Sequence, residues 1–222
     1  MLQGYPTKNG TGISIYGTPG DMEYLYNAVH DIAKHLDENN QFQAAQCSLL
    51  MNFAYDLRKA YMGHRLKEEF TFTGSDEKYI FYGDSFVWTD ILIFIATLRH
   101  NAGFTITDKL TQSMLYMLEH VVEKGLIDYD PQGANQIKEF IGQRIDITNK
   151  NAFIIYQALH IEFVTSPKGK KRFRNIPGLL INYFSSYTQE YKDLIKSFEE
   201  SAKEQGCEIT DLEFGDFPEI VW

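Results

Sequence analysis

Only two cysteines, Cys47 and Cys207, occur in the 222 residues. They sit far apart, one inside a helical pattern and one just after another, so the chain has neither a disulfide framework nor a CxxC metal knuckle. Both are read as reduced thiols. Long apolar runs are also missing, for no stretch approaches the 18 residues of a spanning helix. The opening Met1-Leu2-Gln3-Gly4-Tyr5-Pro6-Thr7-Lys8 lacks the basic and apolar regions of a signal peptide. These absences predict a cytoplasmic protein without membrane contact. Positive charge is scarce too: 21 Lys and Arg stand against 30 Asp and Glu, a formal net charge of −9. A general duplex-binding protein needs a basic face for phosphates, so nucleic acid is not an expected partner.

No complete catalytic motif is present. GxxxxGK[ST], HExxH and GxSxG do not occur. Gly17-Thr18-Pro19-Gly20-Asp21 lies between a strand and a helix, where backbone N–H groups can hold an anion, but Asp21 would repel phosphate. It reads as helix capping. Glu119-His120-Val121-Val122-Glu123 and His160-Ile161-Glu162 offer ligand types without a ligand pattern, and His30 and His35 are five apart, off a common face. No metal and no cofactor are expected. Cys47, beside Leu49 and Leu50, reads as a packing thiol.

Bulky apolar material is abundant: 44% of residues are hydrophobic, with 16 Phe and 14 Tyr. That is ample for one large core, and residues 1–222 are read as a single domain. The architecture expected is mainly α within the α+β class, about seven helices with a small hairpin and terminal strands at one edge. A strand, Gly12 to Tyr16, leads into a helix capped by Thr18 with Pro19 in its first turn, carrying Met22, Leu25, Tyr26, Val29, Ile32, Ala33 and Leu36 and ending near Asp37 to Asn40. A second helix is predicted from Gln41 to Tyr61 with Gly63 as its C-cap, packed antiparallel on the first. Phe70 to Thr73 and Tyr79 to Tyr82 flank Gly74-Ser75-Asp76-Glu77 as a hairpin.

From Phe86 to Asn101 almost no solvated face remains, which predicts the central helix. Another helix is expected from Thr107 to Lys124, stopped by Gly125, and a short one from Asp130-Pro131. Phe153 to Phe163 reads as helix, although its β-branched second half leaves a strand open. A helical stretch from Asn175 to Gln205 ends at Gly206, with Ser185-Ser186 as a division point. The tail from Glu208 to Trp222 has five acids, no basic residue and the apolar end Ile220-Val221-Trp222. It is expected to dock on the body, as a strand beside Ile13 to Tyr16 or the hairpin.

Two places hold candidate chemistry. Asp90 and Thr97 lie seven apart on the central helix, with Arg99 and His100 in its last turn, while Asp56, Arg58 and Tyr61 lead toward Gly63-His64-Arg65. A buried cluster of Asp56, Arg58, Asp90 and Arg99 would suit a carboxylate or phosphate ligand; the alternative is a structural ion-pair network. Lys168, Lys170, Lys171, Arg172 and Arg174 concentrate five cations in seven positions. That segment reads as an RNA or phosphate contact, a docking surface, a solvated loop, or the attractor of the acidic tail within one chain or across a dimer.

In Ile15-Tyr16-Gly17-Thr18-Pro19-Gly20-Asp21, in Ala54-Tyr55-Asp56-Leu57-Arg58-Lys59-Ala60-Tyr61, and in Gly206-Cys207 before the Trp-terminated acidic tail, the chain resembles a bacterial family of cytosolic proteins described only as a domain of unknown function. The resemblance spans nearly the whole chain and implies a bacterial single-domain protein, with no activity or catalytic residues to transfer. Two function classes follow from the residues. The first is a non-enzymatic interaction or regulatory protein with a protein partner still to be identified, or a homodimer, using aromatic and acidic surface. The second is a small-ligand binder or enzyme working at the Asp56/Arg58/Asp90/Arg99 cluster.

Overall fold

A computed structural model describes residues 1–71, 74, 77–215 and 217–222. The chain begins with two strands, β1 (Gln3–Pro6) and β2 (Gly12–Gly17), joined by a turn in which Thr7 Oγ1 accepts the backbone N–H groups of Thr11 and Gly12. β1 was absent from the sequence reading. With β3 (Leu66–Thr71) and β4 (Lys78–Val87) they form one antiparallel sheet in the order β1-β2-β4-β3. The predicted hairpin pairs Phe70 with Tyr79 and Thr71 with Lys78. Phe72, Thr73, Ser75 and Asp76 of its turn lie outside the described residues.

Helix α1 (Pro19–Ala33) starts with a complete capping box: Thr18 Oγ1 accepts from Asp21 N at 3.2 Å and Asp21 Oδ2 accepts from Thr18 N at 3.0 Å. It stops at Ala33, a turn before the expected Asp37 to Asn40 boundary, with the Lys34 N–H on His30 O as its cap. Helix α2 (Gln41–Tyr61) packs against α1 and closes as expected around Gly63, in left-handed conformation at φ 76°. There the N–H groups of Gly63 and His64 return to the Ala60 and Lys59 carbonyls, the double bond pattern of a Schellman end.

β4 runs to Val87, so α3 (Trp88–Ala102) begins two residues later than predicted and without a side-chain cap. Every residue of α3 from Trp88 to Leu98 is buried, which places it at the centre of the molecule. α4 (Lys109–Tyr129) passes straight through Gly125 instead of stopping there. The reason is proximity: a Cβ at 125 would stand 2.6 Å from Ile13 Cδ1 and 3.3 Å from the Trp88 ring, so only glycine lets α4 approach β2 and α3.

Beyond α5 (Pro131–Ile137) and a 3-10 turn at Lys138–Phe140, α6 (Ala152–Thr165) is helical throughout, and the strand alternative for its second half falls. Its residues face the core on several sides, so burial, which β-branched residues tolerate in either structure, overrode their strand preference. The basic segment folds as the short helix α7 (Lys170–Arg174), followed by α8 (Ile176–Phe184) and α9 (Gln189–Gln205), which break at Ser185 and Ser186. These subdivisions raise the helix count to nine among the described residues. The fold is mainly helical α+β around one continuous cluster of buried side chains.

After a 3-10 turn at Ile209–Asp211 the described residues of the tail form a surface strap and pair as no strand. β1 and β4 already occupy both edges of β2. Phe214 meets Phe198 of α9, Phe217 lies edge-on to His160, and the Val221 and Trp222 carbonyls accept from Thr11 Oγ1 at 2.7 Å and Asn9 Nδ2 at 2.6 Å.

Candidate functional site

Of the four residues expected to converge, Asp56, Asp90 and Arg99 enter three different contacts and Arg58 enters none of them. Asp90 on α3 binds His160 Nδ1 of α6 through Oδ2 at 2.7 Å and accepts from Thr89 Oγ1 at 3.2 Å. Arg99, at the far end of α3, forms a two-pronged pair with Glu119 of α4 and covers the Tyr116 ring at 4.2 Å. Asp56 pairs with Arg65 Nη2 at 2.8 Å, and Arg65 Nε reaches Asp84 of β4 at 3.1 Å. Arg58 is exposed and makes no ion pair among the described residues, and Tyr61 rests against Tyr26 with ring centroids 5.5 Å apart. Helical periodicity explains the correction. Nine residues at about 100° each put Asp90 and Arg99 on opposite faces, and two residues do nearly the same to Asp56 and Arg58.

What forms instead is a network of buried and half-buried charges where α2, α3, α6 and β4 meet. Burial pushes the Asp84 carboxyl up to about 6 against the opposing pull of the Ser85 N–H and Arg65, and burial likewise raises Asp56 although Arg65 draws it down. For His160 burial is the largest single influence and lowers its basicity, yet attraction and hydrogen bonding to Asp90 together outweigh it and the imidazole ends up raised. Tyr156, one turn before His160, is held far above its ordinary value by burial and by Asp90 and Asp56. His160 is 8% exposed, with Phe217 of the strap 5.9 Å away. The sequence does not single out Asp84, and it pairs neither His160 with Asp90 nor Arg65 with Asp56, because each partner stands on a different element from the residue it meets.

The basic segment is largely consumed by the fold. Arg174 binds Asp130 through two bonds at 2.6 and 3.1 Å, and Lys170 approaches the same carboxylate at 3.6 Å. Arg174 is the strongest of the influences that hold Asp130 below its ordinary range. Arg172 is buried, donating to the Phe163, Val164 and Ser166 carbonyls and to Thr11 Oγ1. Of the five cations in this segment, Lys168 and Lys171 are exposed and make no ion pair among the described residues. Loop and tail do meet, at Thr11, through hydrogen bonds and not through opposite charges.

An open cleft lies elsewhere on the surface. A cleft of about 580 Å³ is bounded by His35 and Leu36 after α1, Gln43 and Gln46 of α2, His100 and Asn101 of α3, and Phe104, Thr105 and Ile106 of the α3–α4 loop. His100 stacks near Phe104 at 5.0 Å, while Phe104 and Ile106 are 81% and 101% exposed. Of the candidate residues from the sequence, His100 alone lines this cleft.

Over residues 2–222 the sequence matches a family described as a domain of unknown function (DUF6904). The chain belongs to that family. Neither a curated protein nor a solved structure matches it.

Among the described residues no group of three His, Cys, Asp or Glu side chains is placed to hold a metal ion, and no helix is long and apolar enough to cross a membrane. The Asp90–His160 pair has the form of an imidazole held by a carboxylate; it links α3 to α6, with the ring of Phe217 edge-on beside it. The cleft offers carboxamides, imidazoles and apolar side chains, a lining suited to recognition through hydrogen bonds and hydrophobic contact.

Proposed function

We propose that this is a non-enzymatic bacterial cytosolic interaction protein that binds another protein through the α3–α4 loop and the cleft beside it. The observation that carries the reading is the exposure of Phe104 and Ile106, two large apolar side chains presented together on one short loop at the rim of a concave surface. Contiguous exposed apolar surface next to a cleft marks association sites in soluble proteins, whereas single exposed hydrophobics do not. Leu110, half exposed at the start of α4, extends the apolar character of this stretch. The acidic balance, with pI near 5.1, supports an electrostatically selected partner.

A photo-crosslinking residue placed at 104, with a control at exposed Lys203 on α9, tests the reading in native-host cells. A discrete adduct from position 104 and none from 203 is the expected result. Equal patterns from both positions refute it.

A further inference from the structure

The two edges of the sheet are built differently. The Thr7 N–H donates to Gly12 O and the Trp88 N–H to Thr11 O, which sets the alternation along the antiparallel ladders: Gly12, Ser14 and Tyr16 turn their main-chain groups toward β1, Ile13 and Ile15 toward β4. Carried through the paired registers, the same alternation leaves Gly4 and Pro6 facing away from β2 on one edge, and Lys67, Glu69 and Thr71 facing away from β4 on the other. The β1 edge is blunted. Pro6 has no N–H to offer, and Gly4 is buried against α4, where a Cβ would stand 2.4 Å from Val121 Cγ1. β3 has neither protection. It contains no proline, Lys67, Glu69 and Thr71 are exposed, and among the described residues no group takes up their outward N–H and C=O.

Charge is the remaining means by which an edge discourages pairing, and the charges of β3 select what can pair. A second β3, antiparallel across a two-fold axis, must set outward residues against outward residues and keep paired side chains on one side of the sheet. Few registers satisfy this. An axis at Lys67 or at Glu69 brings that charge onto its own copy, and an axis at Phe70 engages only the end of the strand. An axis at Glu68 sets Lys67 of each copy against Glu69 of the other, with both main-chain bonds exchanged in each pair, and Leu66 against Phe70 in the closer positions between. Glu69 already holds Lys78 Nζ of its own chain at 2.9 Å, so Lys67 of the second copy places it between two ammonium groups. Lys67 makes no ion pair among the described residues. Leu66 and Phe70 are half-buried, and Phe70 meets Tyr5 and Tyr16 with ring centroids 6.2 and 6.0 Å apart, so the pairing extends an apolar face already present. Its one like-charge contact is Glu68 on Glu68 at the axis.

We propose that β3 is a self-association edge, at which two copies of this chain pair antiparallel through residues 66–70 about an axis at Glu68 and join their sheets into one. The net charge of −9 makes whole copies repel at a distance. At physiological salt that repulsion is screened over about 8 Å, whereas Lys67 and Glu69 meet at contact. This surface is separate from the α3–α4 loop, and its assignment does not depend on the reading of that loop.

The test is sedimentation velocity of the full chain from about 1 µM to about 500 µM, where a reversible monomer–dimer equilibrium with a Kd on the order of 10–100 µM is expected for so short a strand pair. Lys67→Glu and Glu69→Lys each put like charges into both pairs, and each should weaken self-association at least about tenfold. An equimolar mixture of the two variants should recover the dimer, because every 67–69 pair is again opposite in sign. Both substitutions alter exposed side chains, and thermal unfolding checks that each variant is folded. Glu68→Gln removes the repulsion at the axis and should tighten the dimer about three- to fivefold. Hydrogen exchange in the parent should slow with concentration at the amides of Lys67 and Glu69 and stay constant at Glu68 and Phe70, which face β4. A parent monomeric at about 500 µM, a dimer indifferent to both charge reversals, or a mixture no more associated than its components overturns the proposal. A monomeric parent whose photo-crosslinker at 67 captures a different protein overturns the second copy in favour of a foreign strand.

Discussion

Asp84 should make this protein less stable as pH rises from acid to neutral, and Asp84→Asn should remove that loss. The side chain projects from β4 opposite Ile15 and is 14% exposed. Burial holds its carboxyl near 6 against an ordinary value of 3.8, even with the Ser85 N–H at 2.8 Å and Arg65 at 3.1 Å favouring the anion. A folded value above the unfolded one means that the native state binds the proton more tightly. The group therefore supports folding fully below about 3.8 and loses that support as pH climbs through about 6. Two units correspond to about 3 kcal/mol, and relaxation around the charge reduces this to about 2. Asparagine keeps an oxygen for the Ser85 N–H and cannot ionise. Its cost, one of the two contacts of Arg65, is independent of pH and about 1 kcal/mol, since Asp56 retains the other. Urea unfolding of both proteins between about pH 4 and pH 7.5 measures the effect, and the raised imidazole of His160, present in both, cancels in the comparison. The stability of Asp84→Asn relative to the parent should improve by about 2 kcal/mol across that range. Parallel pH curves would refute the assignment of Asp84 as a buried, reluctantly ionised acid.

Gly125→Ala gains about 1 kcal/mol of helix propensity but sets a methyl 2.6 Å from the fully buried Ile13 Cδ1, so a net loss of about 1 kcal/mol is expected; in an Ile13→Val background, which lacks that atom, chemical denaturation should show the substitution to be neutral or favourable. His160→Leu strands the Asp90 carboxylate among apolar neighbours and should cost about 3–5 kcal/mol by the same assay, with Asp90→Asn costing less because no charge is abandoned. Asp90→Asn should also lower the imidazole of His160, so the stability that the parent loses above about pH 6.5 should shrink in the variant, as read from paired urea curves. Gly142→Ala forces a left-handed residue at φ 68° and a methyl 2.8 Å from Arg99 Cγ, and a loss of about 1–2 kcal/mol should register as a lower Tm.

The elements that could be read from sequence were those whose ends and faces are written locally. Thr18, Pro19 and Asp21 start α1, Gly63 stops α2, and the lack of a solvated face after Phe86 announces the buried α3. Gly125 misled because the same residue that ends a helix when φ turns positive is also the residue that permits close packing inside one, and only Ile13 and Trp88, more than thirty residues away, distinguish the two. The polar cluster failed for a reason that angular arithmetic on α3 already contains, since Asp90 and Arg99 are half a turn out of phase. Their actual partners, His160 and Glu119, come from helices whose placement depends on the whole fold. The cleft could not be read at all, since it is made by the ends of three helices and the loop after α3, whose placement depends on the whole fold.

The strap has a consequence for the order of folding. Its hydrogen bonds from Asn9 and Thr11 to Trp222 and Val221 span 213 and 210 positions of sequence. Thr11 is held in its turn by Thr7 and bonded by Arg172, so the Val221 carbonyl docks on a group that other parts of the fold position. Contacts of that kind form late and are absent from a folding nucleus built on α1, α2 and the sheet. Substitutions along residues 212–222 should accordingly leave the refolding rate unchanged and show themselves in how fast the native state comes apart, which makes the strap a clasp that governs the lifetime of the fold more than its formation.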